Sequence, residues 1–249
     1  MAENPFQHLT KQIRIDESMG FRLLNNLTSS YGGPEEGWGL NMAAPPWVNE
    51  LHNKFSGRCF LFGTGPSLAQ QIPILEKMRD EYTFTCNRMK LWKELPFTPW
   101  VHCLTEPWPI VDWGRAVGNL YDYKEASNRI ACAWFPVVAP GWQWLPKAAD
   151  DIQCRWQGTQ DFLPPLPTAW ASPITIGQLA LWMGFTELYL VGCDTTQDGQ
   201  AWDVEKGRTK FPRSIRSILE CADRAYRDVK RAGRILNDCT PGGRLYMEG

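Results

Sequence analysis

The chain has 249 residues, 43% of them apolar, and its 26 basic and 27 acidic residues leave a net charge of −1. That length suits one main domain with additions, and near-neutral charge with a pI near 6.3 gives no electrostatic reason to bind nucleic acid or an anionic membrane. No apolar run reaches bilayer-spanning length, and the polar start "MAENPFQHLTKQIRIDES" is not a secretion signal, so a cytoplasmic location is expected.

Residues 1–56 carry little strand patterning. "ESMGFRLLNNLTSS" predicts a short helix and "YGGPEEGWGLNMAAPP" is rich in turn formers. This stretch reads as an N-terminal extension that wraps the main domain or contacts a protein partner or a second copy. From 57 to 249 the pattern becomes regular. "CFLF" (59–62) is a wholly apolar strand, as a parallel sheet covered on both faces requires. "SLAQQIPILEKMRDEY" (67–82) predicts a helix with a kink at Pro73. Strands follow at "TFTCN" (83–87) and "WVHCLTE" (100–106), then a helix around 110–121 and a strand at "RIACAWF" (129–135). The Pro- and Trp-rich stretch 136–170 predicts loop. "SPITIGQLALWMGF" (172–185) predicts a helix and "ELYLVGCD" (187–194) a strand. "SIRSILECADRAYRDVKRAG" (214–233) predicts an amphipathic helix closing on Gly233, and "RILN" (234–237) a last strand. Strands alternating with helices give an α/β class, a Rossmann-like doubly wound and mostly parallel sheet.

The eight cysteines include no C-x-x-C pair. Several stand in strand-like runs, which suits reduced, buried thiols acting as small apolar side chains and speaks against zinc. Of the 13 tryptophans, most fill core or interface. The stretch "PGWQWLP" (140–146) is the expected exception, since Pro and Gly place it in a loop where rings are free to stack on a sugar or base. His8, His52 and His102 are the only histidines; His102 stands mid-strand and reads as core rather than base.

Doubly wound sheets bind ligands beyond the carboxyl ends of their strands. The residues there are Gly63, Thr64, Gly65, Pro66 and Ser67, then Asn87, then Thr105 and Glu106, then Gly192, Cys193 and Asp194, then Asp238, Cys239 and Thr240. Ser67 with Gln70 reads as a capping box. Gly63 and Gly65 would let the backbone approach a ligand closely, and the free amides would favour a phosphate. The loop is neither a Walker A motif nor a full G-x-G-x-x-G, since Leu68 replaces the third glycine. A plain tight turn from strand to helix stays open as the alternative. Ser172 followed by Pro173 reads as a second anion-friendly helix start, with Ser172 as N-cap. Asp194 suits a ribose hydroxyl or Mg²⁺, or is a solvated turn residue. Asp198 and Asp203 follow without D-x-D spacing, a weak metal signal. Arg208, Lys210, Arg213 and Arg216 in "EKGRTKFPRSIR" form either a lid that neutralises a leaving phosphate or a solvated basic surface.

Taken in order, "FLFGTGPSL", "TCN", "TEP", "ASPITIGQLALWMGFTELYLVGCD" and "NDCTPGG" resemble two related groups. One is the sialyltransferases of glycosyltransferase family 42. The other is the MptE-like 6-hydroxymethylpterin diphosphokinase family, which includes motility-associated accessory factors. The resemblance covers about 58 to 243. It implies a nucleotide site lined by Gly63, Thr64, Gly65, Ser67, Asn87, Ser172, Gly192 and Asp194. The chain departs from the sialyltransferase pattern at Thr64, Glu106, Pro173 and Thr196, and the lid histidine that serves that family as general base has no counterpart after His102. The implied function is nucleotide-dependent transfer, with a CMP- or UDP-linked sugar as donor and no metal required. Glu106 or Asp198 would act as base, and Arg208 or Lys210 would assist the leaving phosphate. The diphosphokinase reading needs ATP and Mg²⁺. A non-catalytic binding or structural protein that retains the fold is the further alternative.

Overall fold

A computed structural model describes residues 45–87, 89, 94–105, 126–133, 141–146, 171–194 and 215–241. Seven strands form one sheet: β1 (Arg58–Phe62), β2 (Thr83–Cys86), β3 (Val101–Leu104), β4 (Asn128–Ala133), β5 (Gln143–Pro146), β6 (Glu187–Val191) and β7 (Ile235–Asp238). Their spatial order is β5-β4-β3-β2-β1-β6-β7. Every neighbouring pair is parallel, so the expectation of a mostly parallel sheet sharpens to a fully parallel one among the described strands. Four of the five residues of β1, and all those of β2 and β3, are buried. Such strands lie inside a sheet with both faces covered, which is why the run 59–62 of β1 is apolar rather than alternating; β2 and β3 also bury Thr83, Thr85 and His102.

The chain steps outward from β1 through β2, β3, β4 and β5, then returns to lay β6 on the other side of β1, in register from Arg58 against Glu187 to Phe62 against Val191. The switch point of this topology lies between β1 and β6. The segments that follow the two strands cover opposite faces of the sheet, the arrangement at whose carboxyl edge doubly wound sheets bind ligands in a crevice.

One face of the sheet is covered by helices α3 (Ser172–Met183) and α4 (Ile215–Arg231). Residues 173–183 of α3 are buried on every side, as expected for a helix apolar all round. It ends at Gly184, whose φ of 108° needs a residue without a Cβ. The buried Arg234 donates to the carbonyls of Leu181 and Phe185 just there. Gly233, at φ 70°, follows α4 as its sequence predicts, and its N–H reaches Lys230 O. The other face is covered by the segment after β1, with Leu68 and Leu75 packed against Phe60 and Phe62. The long helix expected there is broken into a 3-10 turn (Pro66–Gln71), a single α turn, α2 (Ile72–Leu75), and a second 3-10 turn (Glu76–Met78). Pro73 lies in the first turn of α2, where its missing N–H costs no hydrogen bond, so it opens that turn instead of kinking a longer helix.

Three sequence expectations need correction. The stretch read as loop at 140–146 contains β5, paired with β4 from Gln143 against Ile130 to Pro146 against Ala133; an edge strand tolerates a proline that a central one would not. Trp142 is buried, its ring edge-on to His102 at 6.0 Å, so it is packing and not a free stacking surface. Six described cysteines are free thiols, but Cys221, on the buried side of α4, is disulfide-bonded. Its partner lies outside the described residues. Sequence spacing shows close cysteine pairs, whereas a disulfide needs only proximity in the fold.

The end of the expected N-terminal extension belongs to the core. Helix α1 (Pro46–Glu50) buries Trp47 and Val48, the Trp182 indole donates to Val48 O at 2.8 Å, and the Asn53 and Phe55 amides bond the carbonyls of Trp182 and Met183. Residues 1–44, the helix expected at 110–121 and most of 136–170 lie outside the described residues. Among the described residues no helix is long and apolar enough to cross a membrane.

Candidate functional site

Two groups of predicted site residues meet at the carboxyl edge, one on each side of β1. The first is built by the loops after β1 and β6. Gly63 N–H donates to Val191 O at 2.8 Å and Gly65 N–H to Gly192 O at 2.9 Å, so the sheet pairing runs on past the strands. A Cβ on Gly63 would overlap the Gly192 carbonyl, and one on Gly65 would overlap the Asp194 carboxylate. Gly192 itself has φ 66°, with the Leu68 side chain against it. These glycines are required by the approach of two loops of the same chain.

The Asp194 carboxylate closes this group. Its Oδ2 accepts the Ser67 hydroxyl at 2.7 Å and the Ser67 amide at 3.3 Å. The predicted capping box is therefore replaced. Gly65 is the N-cap and Pro66 takes the first helical position, so Ser67 is drawn inside the turn and its hydroxyl leaves for Asp194. Thr64 is half-buried at the turn. Behind Asp194, Cys193 N–H donates to Thr240 Oγ1 and Thr240 N–H to Asp238 Oδ1, both at 2.9 Å, which ties the loop after β7 to the one after β6. Burial and the Asp238 charge push the Cys193 thiol well above its ordinary range, so it is no thiolate nucleophile.

The second group gathers Asn87, after β2, Thr105, after β3, and Ser172, at the start of α3. Asn87 Nδ2 donates to Thr105 Oγ1 at 3.0 Å and to Ser172 Oγ at 2.9 Å. Asn87 Oδ1 accepts the Thr105 amide at 2.9 Å, and Thr105 Oγ1 donates to Ser172 Oγ at 2.6 Å. Asn87 holds this position at φ 47°, a left-handed conformation that asparagine tolerates better than most residues. Ser172 is not the predicted N-cap: Ala171 is, with Ser172 and Pro173 opening the helix. Because Ser172 Oγ accepts two hydrogen bonds, its own proton is left to be donated elsewhere.

Thr105 is the member whose role sequence reasoning missed. The sequence marks it only by its place after a strand, and its signal is a small hydroxyl directly after a wholly buried strand. Glu106, Asp198, Arg208 and Lys210, the predicted catalytic residues, and Thr196 lie outside the described residues. Among those described, no three His, Cys, Asp or Glu side chains group as metal ligands would.

No protein-family model matches the sequence, and no curated protein matches it. Three solved structures are similar in fold. The sialyltransferase CstII from Campylobacter jejuni, in complex with the substrate analogue cytidine-5'-monophosphate, shares 13% identity over 76% of this chain and 82% of its own, at TM-score 0.46. A second structure, of the sialyltransferase CST-II with trisaccharide acceptor and CMP, shares 14% identity over 76% and 83%, also at 0.46. The MAf glycosyltransferase from Magnetospirillum magneticum AMB-1 shares 17% identity at 0.48; the match covers 74% of this chain but only 31% of that protein. The fold described above rests on the strand order itself and not on these likenesses.

Proposed function

We propose that this chain is a nucleotide-dependent transferase, a glycosyltransferase whose donor is a sugar activated by CMP or UDP. The observation that carries the reading is the switch point between β1 and β6, where ligands of doubly wound sheets bind, with polar side chains from four strand ends and one helix start on its rim. The rim is polarised. Asp194 is an acceptor, suited to ribose hydroxyls or a base amino group, and Ser172 carries a hydroxyl proton to donate, suited to a phosphate oxygen at the start of α3. The phosphate belongs on the Ser172 side, because the Ser67 amide already serves Asp194.

In the reaction the acceptor hydroxyl oxygen bonds the anomeric carbon of the sugar. The bond from that carbon to the phosphate oxygen breaks, and the nucleotide leaves with the electron pair. The hydroxyl proton passes to a carboxylate, Glu106 or Asp198. Arg208 or Lys210 neutralises the departing phosphate.

A thermal-shift panel of CMP, UDP and ATP, each with and without Mg²⁺, tests the proposal. A ligand at 100 times its Kd stabilises by about 2.7 kcal/mol, which such a panel detects. Metal-independent stabilisation by CMP or UDP supports glycosyl transfer. Stabilisation only by ATP with Mg²⁺ points instead to diphosphate transfer onto a pterin-like alcohol. No response to any nucleotide overturns both in favour of a non-catalytic protein, with residues 1–56 as the place to seek its partner.

A further inference from the structure

The turn at 63–67 has the glycines, the proline and the serine of an anion cradle, yet an anion already sits in it. Asp194 Oδ2 receives both the hydroxyl and the amide of Ser67 and lies against Gly65 closely enough that no Cβ fits between them. Among the described residues no cation pairs with this carboxylate. Its second oxygen, Oδ1, takes no hydrogen bond from a described residue. A carboxylate so placed repels a phosphate and accepts from a neutral donor.

We propose that Asp194 is the specificity residue of this end of the crevice, shutting the 63–67 turn to anions and reserving it for a neutral group rich in hydrogen-bond donors, such as a vicinal diol or an amino-bearing base. The inference rests on the transferase reading and deepens it, since it fixes which part of the nucleotide lies at the glycine turn. The same glycines that look like a phosphate signature serve here to admit a side chain. Removing the charge while keeping the shape should then reverse the preference.

Calorimetric titration of the full chain and its Asp194→Asn variant decides the matter, with inorganic pyrophosphate as the anionic probe and cytidine and uridine as neutral ones. Asparagine still accepts from Ser67 through its carbonyl oxygen, which preserves the turn. The variant is expected to lose at least tenfold in nucleoside affinity and to gain at least tenfold in pyrophosphate affinity. Should it fail to fold, Asp194→Ser, which also removes the charge, is held to the same two criteria. Absence of either change, with CMP or UDP still binding the wild type, overturns this inference and leaves the transferase reading standing. A wild type that binds no nucleotide or nucleoside overturns both.

Discussion

The two halves of the rim hold their shape by different means. Around β1 and β6 the geometry is set by backbone: three glycines, two loop hydrogen bonds and a single carboxylate seated where no Cβ fits. Around β2, β3 and α3 it is set by side chains, with one asparagine bridging two hydroxyls. The backbone contact at Gly63 leaves no room for substitution, because the Gly192 carbonyl cannot rotate away. A side-chain network can lose a member and admit water in its place. The first half should therefore be the more sensitive to mutation for folding, and the second should be altered in binding at small cost in stability.

Alanine at the glycines breaks the first half most severely. Gly63→Ala sets a methyl group against the Gly192 carbonyl, which is backbone, and is expected to cost about 3 kcal/mol, read as a lowered urea midpoint. Gly65→Ala meets the Asp194 side chain first, so the double variant with Asp194→Ser should recover part of the loss. The same partner should rescue nothing at Gly63. Equal rescue at both sites would show that the turn is held by the carboxylate and not by the backbone.

The contrast also explains what could be read without coordinates. The fold class was legible because short strands, β1 apolar throughout its buried run "CFLF", alternate with helices. Strand β5 was not, because Pro and Gly mark turns as well as sheet edges. The members of the site were legible by their places after strands, but their partners were not. Ser67 beside two glycines suggests a helix cap, and nothing local announces an aspartate 127 residues away that takes its hydroxyl. Ser172 likewise turns from its own helix toward Asn87, 85 positions earlier. Long-range hydrogen bonds outcompeted the local caps in both places.

A smaller effect separates the strands beneath the two halves. Burial pushes the Cys59 thiol, in β1, well above the ordinary 9.0. In β3, a hydrogen bond with Cys132, and then burial, does the same to Cys103. Each thiol binds its proton more tightly folded than unfolded, so its contribution is complete below pH 9.0 and is lost as pH rises toward the folded value. Stability should fall by about 1.4 kcal/mol per pH unit for each thiol in that range. Urea midpoints from pH 7 to 10 should show the decline, and Cys59→Ala or Cys103→Ala should each remove its share of the slope. A flat profile would mean that water reaches the sheet interior.

The smallest stability effect should bring the clearest loss of binding. Ser172→Ala removes an oxygen that accepts from Asn87 and Thr105, but the position is only half-buried. Water can replace the oxygen, and the folding cost should stay near 1 kcal/mol. The hydroxyl proton that the proposed reading gives to the phosphate has no such substitute. A hydrogen bond to a charged group contributes about 1.5–3 kcal/mol, so CMP or UDP affinity should drop tenfold or more while Ser172→Thr, which keeps the hydroxyl, retains most of it. Nucleoside affinity should hardly change if the nucleoside lies at Asp194, as proposed. If Ser172→Ala weakens nucleoside and nucleotide alike, the two halves do not divide the ligand between them, and the side-chain network acts only by holding the crevice open.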